Sequence, residues 1–151
     1  MRYHDVAKSE TSLLALTSLT PTEFCALVPA FEACFLTAMQ ANTIDGLPRA
    51  NRRYVAYKNS PLPTIEDKLL FSLVHMKQNP TQEVQGRLFG MRQSVANKWL
   101  HLLRPILHDA LQRVEVLPSR TATILPDPAT SASDSAPFFT MMVPNVPSND
   151  R

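Results

Sequence analysis

Only three glycines stand against 13 prolines in this 151-residue chain, and that imbalance restricts its fold more than any other feature. Glycine supplies the positive-φ positions of hairpin turns and the close backbone approaches of phosphate-cradling loops. A chain so poor in it is a weak candidate for a strand-rich or nucleotide-binding sheet domain. Proline breaks a helix from within but starts one well, so its abundance suits helices joined by Pro-punctuated segments. The length is that of one domain, and an apolar content of 44% can build a core if most of the chain takes part. The expected fold class is therefore all-α: a helical domain over residues 1–117, then a Pro/Ser-rich, irregular or disordered tail over 118–151. That tail has six prolines in its 34 residues and no hydrophobic period.

Within the helical part the start signals are local and explicit. Residues 1–20 suit one or two short helices, with Ser9 or Thr11 as caps and Leu13, Leu14, Leu16 and Leu19 as the apolar contribution. Thr20-Pro21-Thr22-Glu23 combines a capping Thr, a Pro at the first helical position and a Glu that can return a bond to the cap. Phe24, Leu27, Val28, Phe31, Phe35 and Met39 then recur at steps of three and four, predicting a helix to about Gln40 with a kink at Pro29. Residues 42–63 hold no period and read as a loop or short extended segment. Thr64 with Glu66 and Asp67 opens a further helix carrying Ile65, Leu69, Leu70, Leu73 and Val74 to about Gln78. Asn79-Pro80-Thr81 stops it and caps the next, expected from Gln82 to Phe89, and a longer helix follows from Gln93 to about Val116.

Built-in metal or redox chemistry is not expected. Cys25 and Cys34 are nine residues apart in one apolar stretch and suit two buried core thiols, while His4, His75, His101 and His108 form no H-x-x-x-H spacing. No catalytic residue, metal or cofactor is therefore assigned. No apolar run approaches the ~18 residues of a membrane span, and no signal-type stretch follows the N-terminus, so the expected location is cytoplasmic and nucleoid-associated, with no membrane partner.

A formal charge of +2 conceals an uneven distribution. Residues 49–104 hold ten basic and three acidic side chains, whereas acidic groups outnumber basic ones on both sides of that block. A basic middle of this kind is the electrostatic footprint of a surface that meets a polyanion, with a solvated helix face as the alternative. Arg49, Arg52, Arg53 and Lys58, interleaved with Tyr54 and Tyr57, can lie along a phosphate backbone or form an ordinary connection.

Residues 82–101 carry the most specific pattern. A helix-turn-helix needs a small residue where the second helix crosses the first, a residue tolerating positive φ just after the first helix, and apolar residues flanking the turn. Gly86, Gly90, Phe89, Met91, Ala96 and Trp99 occupy those places, although Gln85 stands where an apolar residue is commoner. The outward face of the second helix would then carry Gln93, Ser94, Asn97, Lys98 and His101, with Arg92 at the turn. Gln and Asn can pair with adenine in the major groove, and Ser, Lys and Arg can bond phosphates, so double-stranded DNA is the expected partner. A two-helix corner in a structural bundle could use the same glycines.

Together, T-P-T-E-F at 20–24, the basic loop, the run from Ile65 to Gly90 and S-V-A-N-K-W-L at 94–100 resemble the N-terminal helix-turn-helix region of Harbinger-like insertion-sequence transposases, over about residues 10–117. The resemblance implies sequence-specific binding to terminal inverted repeats, with a full-length transposase as a second partner. In that family a following RNase H-like domain cuts and joins DNA with an Asp-Asp-Glu triad and two metal ions. Here Asp127, Asp134 and Asp150 lie in the Pro-rich tail and make a poor catalytic set, because two-metal chemistry needs carboxylates on a rigid scaffold. Phe138-Phe139-Thr140-Met141 resembles the approach to the first catalytic Asp of the family. Re-read one nucleotide back after Met141, the codons of Met142 and Val143 encode Asp and Gly, which implies a first reading frame leaving its register at about 142. The expected function is thus the non-enzymatic, DNA-binding part of a transposase; the alternative is a stand-alone helix-turn-helix transcriptional regulator or helical interaction module.

Overall fold

A computed structural model describes residues 1–50, 53–55 and 59–115. The chain divides into Met1–Pro118 and Ser119–Arg151, and the described residues all lie in the first part. The tail 118–151, its proposed change of frame at about 142, and Arg52, Tyr57 and Lys58 lie outside the described residues.

Six helices and no strand make up the described residues: α1 (Tyr3–Val6), α2 (Glu10–Thr17), α3 (Pro21–Ala41), α4 (Ile65–Gln78), α5 (Gln82–Leu88) and α6 (Gln93–Arg113). Four of them begin on the Ser or Thr that the sequence marks out. Ser9, Thr20, Thr64 and Thr81 each accept a bond from the backbone N–H three residues on, satisfying a donor that the first helical turn leaves open. At Thr20 the box closes both ways, since Glu23 Oε2 accepts the Thr20 N–H at 2.8 Å. Helix α3 runs continuously across Pro29, and α6 runs across Pro105 to end at Arg113, short of the expected Val116.

Helix α4 lies at the centre of the described helices, with α1, α2, α3 and α6 packed around it. The sequence marks one apolar stripe on α4, yet residues 67–74 are buried without a break because its neighbours cover it on all sides. Asp67, Lys68 and Ser72 are therefore inside the protein. Asp67 accepts the Tyr3 backbone N–H at 2.7 Å and faces the Arg2 guanidinium at 3.4 Å, which fastens α1 to the start of α4. Lys68 donates to the Thr64 and Pro63 carbonyls at 3.1 and 3.4 Å, with the rings of Phe35 and Trp99 beside its ammonium at 5.2 and 5.9 Å. Burial pushes this lysine's pKa down to about 8.

Two expectations are corrected here. Cys34 is buried, but Cys25 is exposed. Its place on α3 is one step past Phe24, away from the core-facing series Phe24, Leu27, Phe31, Phe35 and Met39. The expectation that no apolar stretch reaches membrane-spanning length also fails, because α3 is long and apolar enough to cross a membrane by length and composition. In this fold, however, that apolarity serves the core: Phe24, Phe31 and Phe35 are wholly buried.

Candidate nucleic-acid interface

Helices α5 and α6 meet at a corner whose two glycines do different work. A Cβ on Gly86 would lie 2.7 Å from the Met91 carbonyl oxygen and 3.3 Å from the Arg92 carbonyl carbon, so the backbone opening α6 packs directly on the flank of α5. The Met91 N–H donates to the Gly86 carbonyl at 2.8 Å and closes the turn. Gly90 has open space around it but a φ of +69°, a left-handed conformation in which a side chain would be strained. Phe89, Ala96 and Trp99 are buried as the corner requires. Gln85, in a place that favours apolar residues, is wholly buried and donates from Nε2 to the Phe71 carbonyl at 2.8 Å, while Phe89 packs edge-on against Phe71 at 4.9 Å. Both contacts fix α5 to α4.

The outward side of α6 divides into two halves. Arg92, Gln93 and Ser94 are exposed at its beginning. Arg92 provides no side-chain cap, unlike the Ser and Thr that open α2 to α5, so the first N–H groups of α6 keep no local side-chain acceptor. The second half is more constrained. Asn97 is half-buried, and its Oδ1 accepts a bond from Gln82 Nε2 at 3.0 Å. Lys98 is exposed but forms an ion pair with Asp45 at 2.6 Å. His101 is exposed on the wall of an open cleft of about 570 Å³ that separates α6 from the end of α3 and the loop after it.

That loop, residues 42–49, supplies what the sequence pattern of α6 could not reveal. It is a closed turn: Asn42 bridges Pro48, the Leu47 carbonyl accepts from Thr43, and the Thr43 carbonyl accepts from Gly46. Arg49, expected on a phosphate, instead directs Nε to the Met39 carbonyl at 2.7 Å and Nη2 to the Asn42 carbonyl at 3.4 Å. Its guanidinium satisfies the open carbonyl end of α3 and lies 5.8 Å from the Tyr54 ring centroid. Arg53 is exposed. The carboxylate-free face expected for α6 is thus corrected by tertiary structure, since the loop brings Asp45 to it. No group of His, Cys, Asp and Glu among the described residues is placed to hold a metal ion.

Residues 60–113, spanning α4 to α6, match the family model described as the helix-turn-helix of DDE superfamily endonuclease. No curated protein and no solved structure matches the chain. The match covers the helix-turn-helix segment alone, and the resemblance to Harbinger-like transposases is finer than this match.

Proposed function

We propose, from the match of α4 to α6 to the family model described as the helix-turn-helix of DDE superfamily endonuclease, that this chain binds double-stranded DNA as the non-catalytic N-terminal part of a Harbinger-like transposase and recognises the terminal inverted repeats of its element. The observation that carries the reading is the α5–α6 corner: the glycine contact and the positive φ that a helix-turn-helix requires occur together, with an uncapped, carboxylate-free first turn opening the second helix. In this reading α6 lies in the major groove, with Gln93 and Asn97 one turn apart and facing base edges. Arg92, Ser94 and Lys98 hold phosphates, His101 extends the contact along α6, and Arg52, Arg53 and Lys58 are further candidate phosphate ligands by sequence. Catalysis belongs to a full-length transposase that carries the nuclease domain, and the site of action is the nucleoid.

The test is selection of bound sequences from a random duplex library with the purified chain. The enriched sequence is then compared with the DNA flanking the gene. Recovery of a motif present as inverted repeats on both sides of the gene is expected. Enrichment of a single promoter-proximal site would favour a transcriptional regulator, and no duplex binding even at low salt would refute a DNA-binding role.

A further inference from the structure

We propose that Asp45 is a specificity-determining residue, a fixed carboxylate that competes with DNA phosphate for Lys98 and so weakens binding that does not depend on sequence. The inference rests on the DNA-binding reading above and adds to it the residue that restrains it.

Three observations carry it. First, the Asp45–Lys98 pair is short, at 2.6 Å, yet both side chains remain about half exposed, at 49% and 55%. Such a pair is weak in water and can exchange partners, unlike a buried one. Second, Asp45 is not there by the chance of a floppy loop. Its turn is held by the Thr43 N–H to Leu47 carbonyl bond at 2.8 Å, the Gly46 N–H to Thr43 carbonyl bond at 3.0 Å and the Arg49 anchor on α3. Third, Lys98 lies one turn past Ser94 on the face proposed to meet DNA, and the pair bridges the cleft between α6 and the loop.

Consequences for binding follow from charge. A phosphate approaching Lys98 must displace a carboxylate already in place and then remain beside it. While Lys98 stays with Asp45 it neutralises no phosphate and releases no counterion from the DNA, and the carboxylate raises the energy of any phosphate contact there. Base-edge contacts from Gln93 pay no such penalty. The pair therefore reduces general affinity more than sequence-dependent affinity, which is how a like-charge element sharpens discrimination.

The experiment is a fluorescence-anisotropy titration of a 30-bp mixed-sequence duplex, across a salt series, with the full chain and with Asp45→Asn, Lys98→Ala and the double variant. Asp45 makes no side-chain bond within its turn, so Asp45→Asn keeps the fold, which circular dichroism checks. Asp45→Asn is expected to tighten binding about two- to fivefold, the range of an exposed pair's coupling. Its salt dependence should steepen by roughly 0.9 in log K per log salt, one further phosphate neutralised. In the Lys98→Ala background the same change should have little effect. Unchanged or weaker binding by Asp45→Asn, or an equal gain with and without Lys98, overturns the proposal while leaving DNA binding intact. Failure of the unaltered chain to bind the duplex at low salt overturns the DNA-binding reading itself, and the proposal with it.

Discussion

Gly86→Ala isolates the crossing of α5 over the turn. In an exposed helix interior that change stabilises by about 1 kcal/mol, because alanine has the better helix propensity. Here the new Cβ would meet three backbone atoms: the Met91 carbonyl oxygen at 2.7 Å, the Arg92 carbonyl carbon at 3.3 Å and the Gln93 nitrogen at 3.4 Å. No rotamer change can relieve a clash with backbone, so α5 and the start of α6 must separate. That separation stretches the 2.8 Å bond from Met91 N–H to the Gly86 carbonyl. Forcing a methyl group into a packed contact costs about 1–3 kcal/mol, and weakening one hydrogen bond about 0.5–1.5 kcal/mol. Set against the propensity gain, the expected net loss is roughly 1–3 kcal/mol.

Urea unfolding followed by the fluorescence of Trp99 reads that loss directly, since it is the single tryptophan of the chain and is 5% exposed. With a urea dependence of about 1–3 kcal/mol per molar, the midpoint should fall by about 1 M. Gly90→Ala is the companion measurement. It strains a φ of +69° in open space, so it should lower stability by about 1–2 kcal/mol without altering the helix crossing or the duplex affinity. Gly86→Ala should lower both. A Gly86→Ala protein as stable as the unaltered chain, or more stable, would mean that the helices do not approach closely here and would remove the geometric basis of the corner.

Burial of Lys68 predicts stability that rises with pH. With its folded pKa near 8 and its unfolded value near 10.5, the unfolded chain binds more protons between those values, so unfolding should become harder as pH rises from 8 to 10, by on the order of 2 kcal/mol. Above about pH 10 Tyr3 and Tyr54 act against this rise, because burial raises their pKa values and the unfolded state loses those protons first. Urea titrations at each pH check this, and a Lys68→Met variant with the same rise would refute the assignment. Trp99→Ala, which empties a site beside Lys68 and between α4 and α6, should cost about 3–5 kcal/mol, measured by thermal circular dichroism. A stable variant would mean that the α6 register is wrong.

The parts legible in the sequence are those whose physics acts over a few residues. Ser9, Thr20, Thr64 and Thr81 each bond a backbone N–H three positions away, so a cap is written in four consecutive letters. The corner is written almost as locally, because Gly86 and Gly90 answer to one turn and to the start of the next helix. What could not be read is how residues far apart in the chain change one another's meaning. Asp67 looks like a first-turn acid suited to the helix dipole, yet it is buried and holds the backbone of Tyr3. Lys68 looks like one more member of the basic block, yet it is inside the protein and adds no exposed basic group to the surface. Arg49 looks like a phosphate ligand because its neighbours are basic, and only the end of α3 shows that its guanidinium serves the Met39 and Asn42 carbonyls.

The same principle separates Gln93 from Asn97, which the sequence treats as equivalent. Bidentate recognition of adenine needs an amide oxygen to accept from N6 and an amide nitrogen to donate to N7. Asn97 keeps its nitrogen available, but its oxygen already receives the Gln82 Nε2 bond, which aims that oxygen toward α5. Presented this way, Asn97 is mainly a donor, which in the proposed complex would suit the N7 and O6 acceptors of guanine or the O4 of thymine, with its orientation set by the Gln82 bond beforehand. Gln93, exposed at the first position of α6 and longer by one methylene, retains both functions and the freedom to align them. In the proposed complex base reading is therefore unequal along α6: Gln93 adapts to its base, Asn97 is preset by a residue of α5, and Lys98 is restrained by the loop after α3. The recognition surface proposed for one helix in sequence is thus tuned by three elements in space.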